Sequence, residues 1–347
     1  MPSERSEKQV EKAVEKPVRA AKPAKVAEKR VGPVIGIDLG GTNMQVGIVG
    51  ADDKLLARAK RKTKAEEGLN AILDRIVQAI EECRRESKVR LTDLAGLGIG
   101  APGAVDPHEG VVLEAVNLRW NDVPLAELLS DRLGIPCFVD NDVNAAIFGE
   151  NQLGAGQQSD NVLGVWVGTG IGGGLILNRK LYYGHYLTAG EIGHMILFPN
   201  NPPGSRSLEH NCSRTAVVER VQKLMRANRK SSILEMVGGD WDKVRSKTLA
   251  KAYQDGDELA IEVVDDSADM LGVAIGSIVT LLSLERVVLG GGLTEAMGQP
   301  FVDRVQKQVR RYAFPDRCKR VQVVASELED DAGLMGAAMI ARDRISG

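Results

Sequence analysis

Apolar positions in the first half of the chain alternate with two periods. Val34 to Leu39 and Met44 to Val49 run apolar with period two on either side of Gly40-Gly41-Thr42, the pattern of a β-hairpin closed by a glycine turn. Lys54 to Thr63 supplies a third strand. From Glu67 to Ser87 the period changes: Leu69, Ile72, Leu73, Ile76 and Ile80 fall on one helical face. Leu94 to Gly100 is a strand of small residues ending in Ala101-Pro102-Gly103. Pro124 to Gly134 reads as a helix with proline near its start and glycine as its cap. Pro136 to Asp140 is a buried strand running into Asp140-Asn141-Asp142-Val143-Asn144 and the helical Ala145 to Glu150.

A second unit of the same kind begins near Asn161. Val162 to Leu177 is again strand, glycine turn (Gly168, Thr169, Gly170) and strand, with Arg179 to Tyr186 as a third strand. Helices are expected over Thr215 to Asn228, Thr248 to Asp255 and Glu258 to Leu284. Arg286 to Leu289 is a strand entering Gly290-Gly291-Gly292. A helix over Ala296 to Tyr312, a strand over Arg320 to Ala325 and a helix over Asp330 to Arg344 complete the chain. Each half reads β-β-β-α-β-α-β-α. The expected architecture is therefore two α/β lobes around a central cleft, one over 32–140 and one over 141–329, with the last helix (330–347) packing back on the first.

Composition narrows the class. The chain has 347 residues, a net charge of -2 and 27% charged residues, which argues against a nucleic-acid partner for the folded part. Cys83, Cys137, Cys212 and Cys318 form no CxxC pair, so free thiols and a reducing cytoplasm are expected. Leu271 to Leu284 is too short to span a bilayer and reads as a buried helix. The first 31 residues are a Lys-, Glu-, Ala- and Val-rich tail with three prolines. It lacks the apolar surface to order itself, and also the apolar core of a secretory signal.

The chemistry gathers at the turns. A Gly-Gly-Thr or Gly-Thr-Gly tip leaves backbone N–H groups bare for an anion, although an ordinary glycine hairpin has the same sequence. Two such tips facing each other could grip a phosphate chain from both sides. Asp38, just before the first tip, could hold the water shell of Mg²⁺. In the DNDVN cluster, helix capping accounts for one side chain and not for all. Ligands bind at this point of an open α/β sheet, which singles out Asn141 and Asp142.

In this order and spacing, DLGGTN (38–43), APGAVD (101–106), DNDVNAA (140–146), GTGIGGG (168–174), AGEIGH (189–194), LE (208–209) and LGGGL (289–293) resemble the ROK family of sugar kinases over about Val34 to Ile345. The resemblance is to the glucokinase-like members and implies the actin-like, RNase H-type ATPase fold. It implies ATP and Mg²⁺, with phosphoryl transfer to the C6 hydroxyl of a hexose, glucose first. Asp142 then matches the family's catalytic base. Asp38, Gly40, Gly41, Thr42, Gly168, Thr169, Gly170, Gly290, Gly291 and Gly292 match its ATP- and phosphate-binding positions. Asn117, Asn141, Asp142, Glu191, His194 and Glu209 match its sugar-binding ones. Family members are often dimers, which leaves a homodimer open.

One departure stands out. Many members hold a structural zinc through CxCGxxGCxE and the histidine of ExGH. Counted back from Glu209, the cysteine positions here are Asn200, Pro202 and Ser207. A four-ligand structural zinc is not expected, and the loop that orients His194 must be held otherwise. Other readings are a sugar-responsive regulator of the same family, for which the residues before the first hairpin are too few and too polar to make a helix-turn-helix domain, and a sugar-binding protein without catalysis. N-acetylhexosamines, mannose and fructose are alternative substrates, and polyphosphate is an alternative donor.

Overall fold

The computed structural model describes residues 32–347; the tail expected over 1–31 lies outside them. β1 (Val34–Leu39), β2 (Asn43–Val49) and β3 (Leu55–Lys62) form an antiparallel meander. β4 (Gly96–Ala101) joins β1 in parallel, after the crossover helix α1 (Leu69–Ser87), which buries the expected Ile72, Leu73, Ile76 and Ile80. Between β4 and the next strand of this sheet stand β5 (Ala104–Asp106), β6 (Val111–Ala115), β7 (Trp120–Val123) and α2 (Leu125–Leu133). β8 (Cys137–Asn141) then pairs with β4 in parallel, giving the order β3-β2-β1-β4-β8. β1 and β4 are buried along almost their whole length, covered on both faces, so they read as continuous apolar or small runs.

After α3 (Asp142–Leu153) the plan repeats. β9 (Val162–Val167), β10 (Ile171–Leu177) and β11 (Lys180–Leu181) are antiparallel. A long connection follows with α4 (Glu209–Cys212), α5 (Arg214–Arg226), α6 (Ile233–Met236), α7 (Ser246–Gln254) and the long, largely buried α8 (Glu258–Leu282). β12 (Arg286–Gly290) joins β9 in parallel. α9 (Gly292–Met297) and α10 (Gln299–Tyr312) lead to β13 (Gln322–Ala325), parallel to β12, and α11 (Ala332–Ser346) ends the chain. The second sheet has the order β11-β10-β9-β12-β13.

Two helices lie between the sheets. α3 touches β4 and β8 on one side and β9 and β10 on the other, while α11 packs along α3, β1 and β4. They meet at backbone distance. A Cβ at Gly336 would fall 1.7 Å from the Ala145 carbonyl oxygen, and one at Gly98 would fall 1.8 Å from that of Ala337. Only glycine permits either approach. This close contact ties the sheets into one unit.

The observed elements differ from the sequence pattern in three places. The small antiparallel sheet β5-β6-β7 occupies a stretch with no predicted element; its strands are too short to show a period. The third strand expected over 179–186 shrinks to Lys180–Leu181. Asn178 and Arg179 take left-handed φ of 53° and 65° to make the turn, and Gly184 and Leu187 bend the chain away again. The helix expected from Ala296 to Tyr312 is broken at Gly298, whose φ is 68° and whose N–H donates to the Thr294 carbonyl. Pro300 then sits where a new helix starts.

Candidate active site

Within the DNDVN run the work is divided. Asn141 ends β8 and caps α3: its Oδ1 accepts from the Val143 and Asn144 N–H groups at 2.9 and 3.1 Å, and its Nδ2 donates to the Gly103 carbonyl at 3.0 Å. Asp140 is buried. It accepts from the Asn141 N–H at 2.8 Å, from Asn144 Nδ2 at 3.1 Å and from the Tyr183 hydroxyl at 2.6 Å. Burial pushes its carboxyl up, against the pull of these donors. Among the described residues Asp142, the first residue of α3, accepts from the Val143 N–H alone, at 2.8 Å. Scaffolding falls to 140, 141 and 144. Asp142 keeps most of its hydrogen-bonding capacity and faces open space.

That space is a cleft of about 780 Å³. It is lined by the predicted Asn117, Asn141, Asp142, Gly168, Thr169, Gly170, Glu191, His194, Glu209 and Gly291, and also by Glu114, Trp166 and Thr188. A smaller cavity of about 240 Å³ adjoins it, sharing Asp142, Val143, Trp166 and Gly291 and adding Asp38, Gln45, Gly292, Glu295, Glu329, Asp330 and Gly333. Asp142 thus stands at the junction of a polar cleft and an acid-lined chamber. Burial, and then the neighbouring Asp38 charge, push Asp142 up to about 7. Asp38 rises to about 6, from burial first and Asp330 second. Carboxylates held this way invite a cation and favour uptake of a proton near neutrality.

Gly40, Gly41, Thr42 and Gly290 line neither cavity. The first tip lies under Asn117, where a Cβ at Gly41 would meet the Asn117 Cβ at 2.8 Å. Gly290 ends β12 behind the Trp166 ring. Gly291 turns the chain into α9 with φ 85°, close against Val167, a conformation that requires glycine.

The second tip faces the cleft and is clamped from α5. The Arg214 N–H donates to the Gly168 carbonyl at 2.9 Å, the Thr215 hydroxyl to the Thr169 carbonyl at 2.8 Å, and Arg214 Nη2 to the Thr169 hydroxyl at 2.8 Å. Glu209 Oε2 accepts from the Ile171 N–H at 2.8 Å, which leaves Oε1 toward the cleft. The loop before Glu209, where the family pattern places cysteines, is closed by hydrogen bonds. Ser207 Oγ bonds His210 Nδ1 at 2.8 Å, Asn211 Nδ2 donates to the carbonyls of Ser205 and Ser207, and the Leu208 N–H donates to the Met195 carbonyl, tying the loop to the His194 turn. Tyr183, Arg214 and Thr215 escaped the sequence reading. Only the position of Arg214 and Thr215 at a helix start, beside a buried serine cap, offered a hint.

Two lobes of like topology, with a cleft lined by the second glycine tip, Gly291 and the Asp142 carboxylate, define the actin-like phosphotransferase architecture. The chain belongs to the ROK family, whose model matches residues 34–344. It is similar to the glucokinase of Thermotoga maritima, 34% identical over 322 residues covering 90% of this chain and 98% of that protein. Among solved structures it is similar to a ROK family glucokinase from Streptomyces griseus in complex with glucose and AMPPNP, with a TM-score of 0.78, 30% identity, and coverage of 90% of this chain and 100% of that one. A ROK hexokinase from Thermus thermophilus gives a TM-score of 0.73 at 29% identity, covering 90% of this chain and 99% of that one. No helix among the described residues is long and apolar enough to cross a membrane.

Proposed function

We propose that this sugar kinase moves the γ-phosphoryl group of ATP to the C6 hydroxyl of glucose. The observation that carries the reading is the place of Asp142, uncommitted to the scaffold and common to both cavities. A sugar in the larger cleft and phosphates reaching toward the smaller one would meet at its carboxylate. Asp142 takes the hydroxyl proton as the C6 oxygen bonds to the γ-phosphorus; the bond to the β-phosphate oxygen breaks and ADP leaves. The proton is then lost from Asp142 to water.

Asn117, Glu191, His194, the free Oε1 of Glu209 and the remaining N–H of Asn141 would hold the sugar hydroxyls, which both donate and accept. The Thr169 tip would meet the phosphates, with Gly291 and Gly292 beside the nucleoside at the start of α9. Gly40, Gly41 and Thr42 would join them once the sheets close and shed water.

Mg²⁺ fits the smaller cavity. Its donor set is all oxygen, Gln45 Oε1 is buried there without a partner, and Gly333 leaves room where a Cβ would fall 2.9 Å from Asp38 Cγ. Asp38 would hold the ion through its water shell. When bound with ATP, the ion neutralises charge on the phosphate oxygens.

The test is a coupled ADP-release assay with Mg-ATP over a panel of hexoses and N-acetylhexosamines. Glucose should give the fastest turnover, and Asp142→Ala should remove it. Turnover on another sugar alone would reassign the substrate; ADP release without any sugar would refute the transfer.

A further inference from the structure

Arg214, bonded to the second glycine tip, makes no ion pair among the described residues. It opens α5, is half-buried, and spends one guanidinium N–H on the Thr169 hydroxyl. Burial lowers its pKa, and the charge of Arg245 lowers it further. A partly buried cation without an ion-pair partner costs stability, and a bound anion would offset that cost. The position suits one. Thr169 and Gly291, the residue before α9, both line the cleft, and Ser246, next to Arg245, lies 3.6 Å from where a Cβ of Gly292 would stand. The starts of α5, α7 and α9 thus converge beside the cleft, with the start of α9 also bordering the acidic chamber.

A tip that needed only holding in place already has the Arg214 N–H and the Thr215 hydroxyl on its carbonyls. The guanidinium adds a charge that this task does not require. We propose that Arg214 is a phosphate-contacting residue of the donor site, whose guanidinium exchanges the Thr169 hydroxyl for the terminal phosphate oxygens of a nucleoside triphosphate. A guanidinium matches two phosphate oxygens with parallel N–H groups, which a lone threonine tip cannot do. The inference rests on the phosphotransferase reading of the cleft.

Calorimetry of ATP, ADP and adenosine on the wild-type chain, Arg214→Gln and Arg214→Lys tests it. Arg214→Gln should weaken ATP by about 10- to 100-fold, the range for a lost charge-assisted hydrogen bond, and leave adenosine unchanged, while Arg214→Lys keeps part of the affinity. If ATP binds Arg214→Gln as tightly as wild type, the proposal fails and the phosphotransferase reading stands. If ATP and adenosine weaken together along with the Tm, Arg214 is only a clamp and the proposal fails. A wild-type chain that binds no ATP would overturn the phosphotransferase reading itself, and this inference with it.

Discussion

The two glycine tips have nearly the same sequence and topology but opposite settings. In the first, Gly40 N–H donates to the Asn43 carbonyl at 2.9 Å, and the buried Thr63 bonds both the Gly40 and Thr42 carbonyls, at 2.6 and 2.9 Å. Its clamp comes from the end of its own sheet, and it lies outside both cavities. The second is clamped by a helix start that carries an arginine, and it opens on the cleft. A shared motif therefore fixes the shape of a turn, while the element packed behind it decides whether the turn is ready for an anion. In the form described here, only the second tip is ready; the first would act after closure.

Asp142 is common to both cavities, and its loss should exceed any change at either tip. Asp142→Ala should lower kcat by about 10²- to 10⁴-fold, the usual share of a general base, with ATP affinity retained. Parallel substitutions then probe the comparison itself. Thr169→Val should weaken ATP binding by roughly tenfold, measured without sugar, through one lost phosphate contact. Thr42→Val should leave that affinity alone and lower kcat instead; equal losses of affinity would mean that the tips are equivalent.

Stability should separate the clamps. Thr63→Val removes a buried bond and leaves the Gly40 carbonyl short of a donor, at a cost of about 1–2 kcal/mol in denaturant unfolding. Thr215→Val, at an exposed position, should stay within about 0.5 kcal/mol.

A further effect, confined to high pH, concerns Asp142 as a charge. Its carboxyl stands at about 7 in the folded chain, above its ordinary 3.8. The native state therefore binds the proton more tightly than the unfolded one, and stability falls as pH rises from about 4 toward 7. Asp142→Asn keeps the oxygen that accepts the Val143 N–H and cannot ionise. It should gain on the order of 1 kcal/mol at pH 8, water in the cleft softening the effect, and nothing at pH 4. Thermal melts at the two pH values decide this; an equal Tm at pH 8 would show that Asp142 pays no penalty for its place.

The central strands of both sheets, β1, β4, β9 and β12, were legible because they are largely buried and leave mostly apolar or small runs. α1 was legible from its helical stripe and α8 from its apolar segment. The β5-β6-β7 sheet was not: strands of three to five residues carry too little pattern, and the sheet is specified by its packing on α2 and β8. The site divided in the same way. Residues fixed by local turns and strand ends, such as Asn141, Asp142, Gly168 and Gly291, could be placed from neighbouring sequence. The partners that hold them come from afar: Tyr183 reaches Asp140 across 43 positions, and Arg214 reaches Thr169 across 45. Only the folded chain brings those together. Glycines at 98 and 336 mark the same limit, since their need becomes visible only when the opposing backbone is in place.

The most direct test of the account is to identify the product. The full chain would be incubated with Mg-ATP and glucose, and the phosphate ester located by phosphorus and carbon NMR, with Asp142→Ala in parallel. The account predicts phosphate on the C6 oxygen with ADP formed in equal amount, and no ester with the variant. Phosphate at another hydroxyl, or an ester made at the wild-type rate by Asp142→Ala, would contradict it.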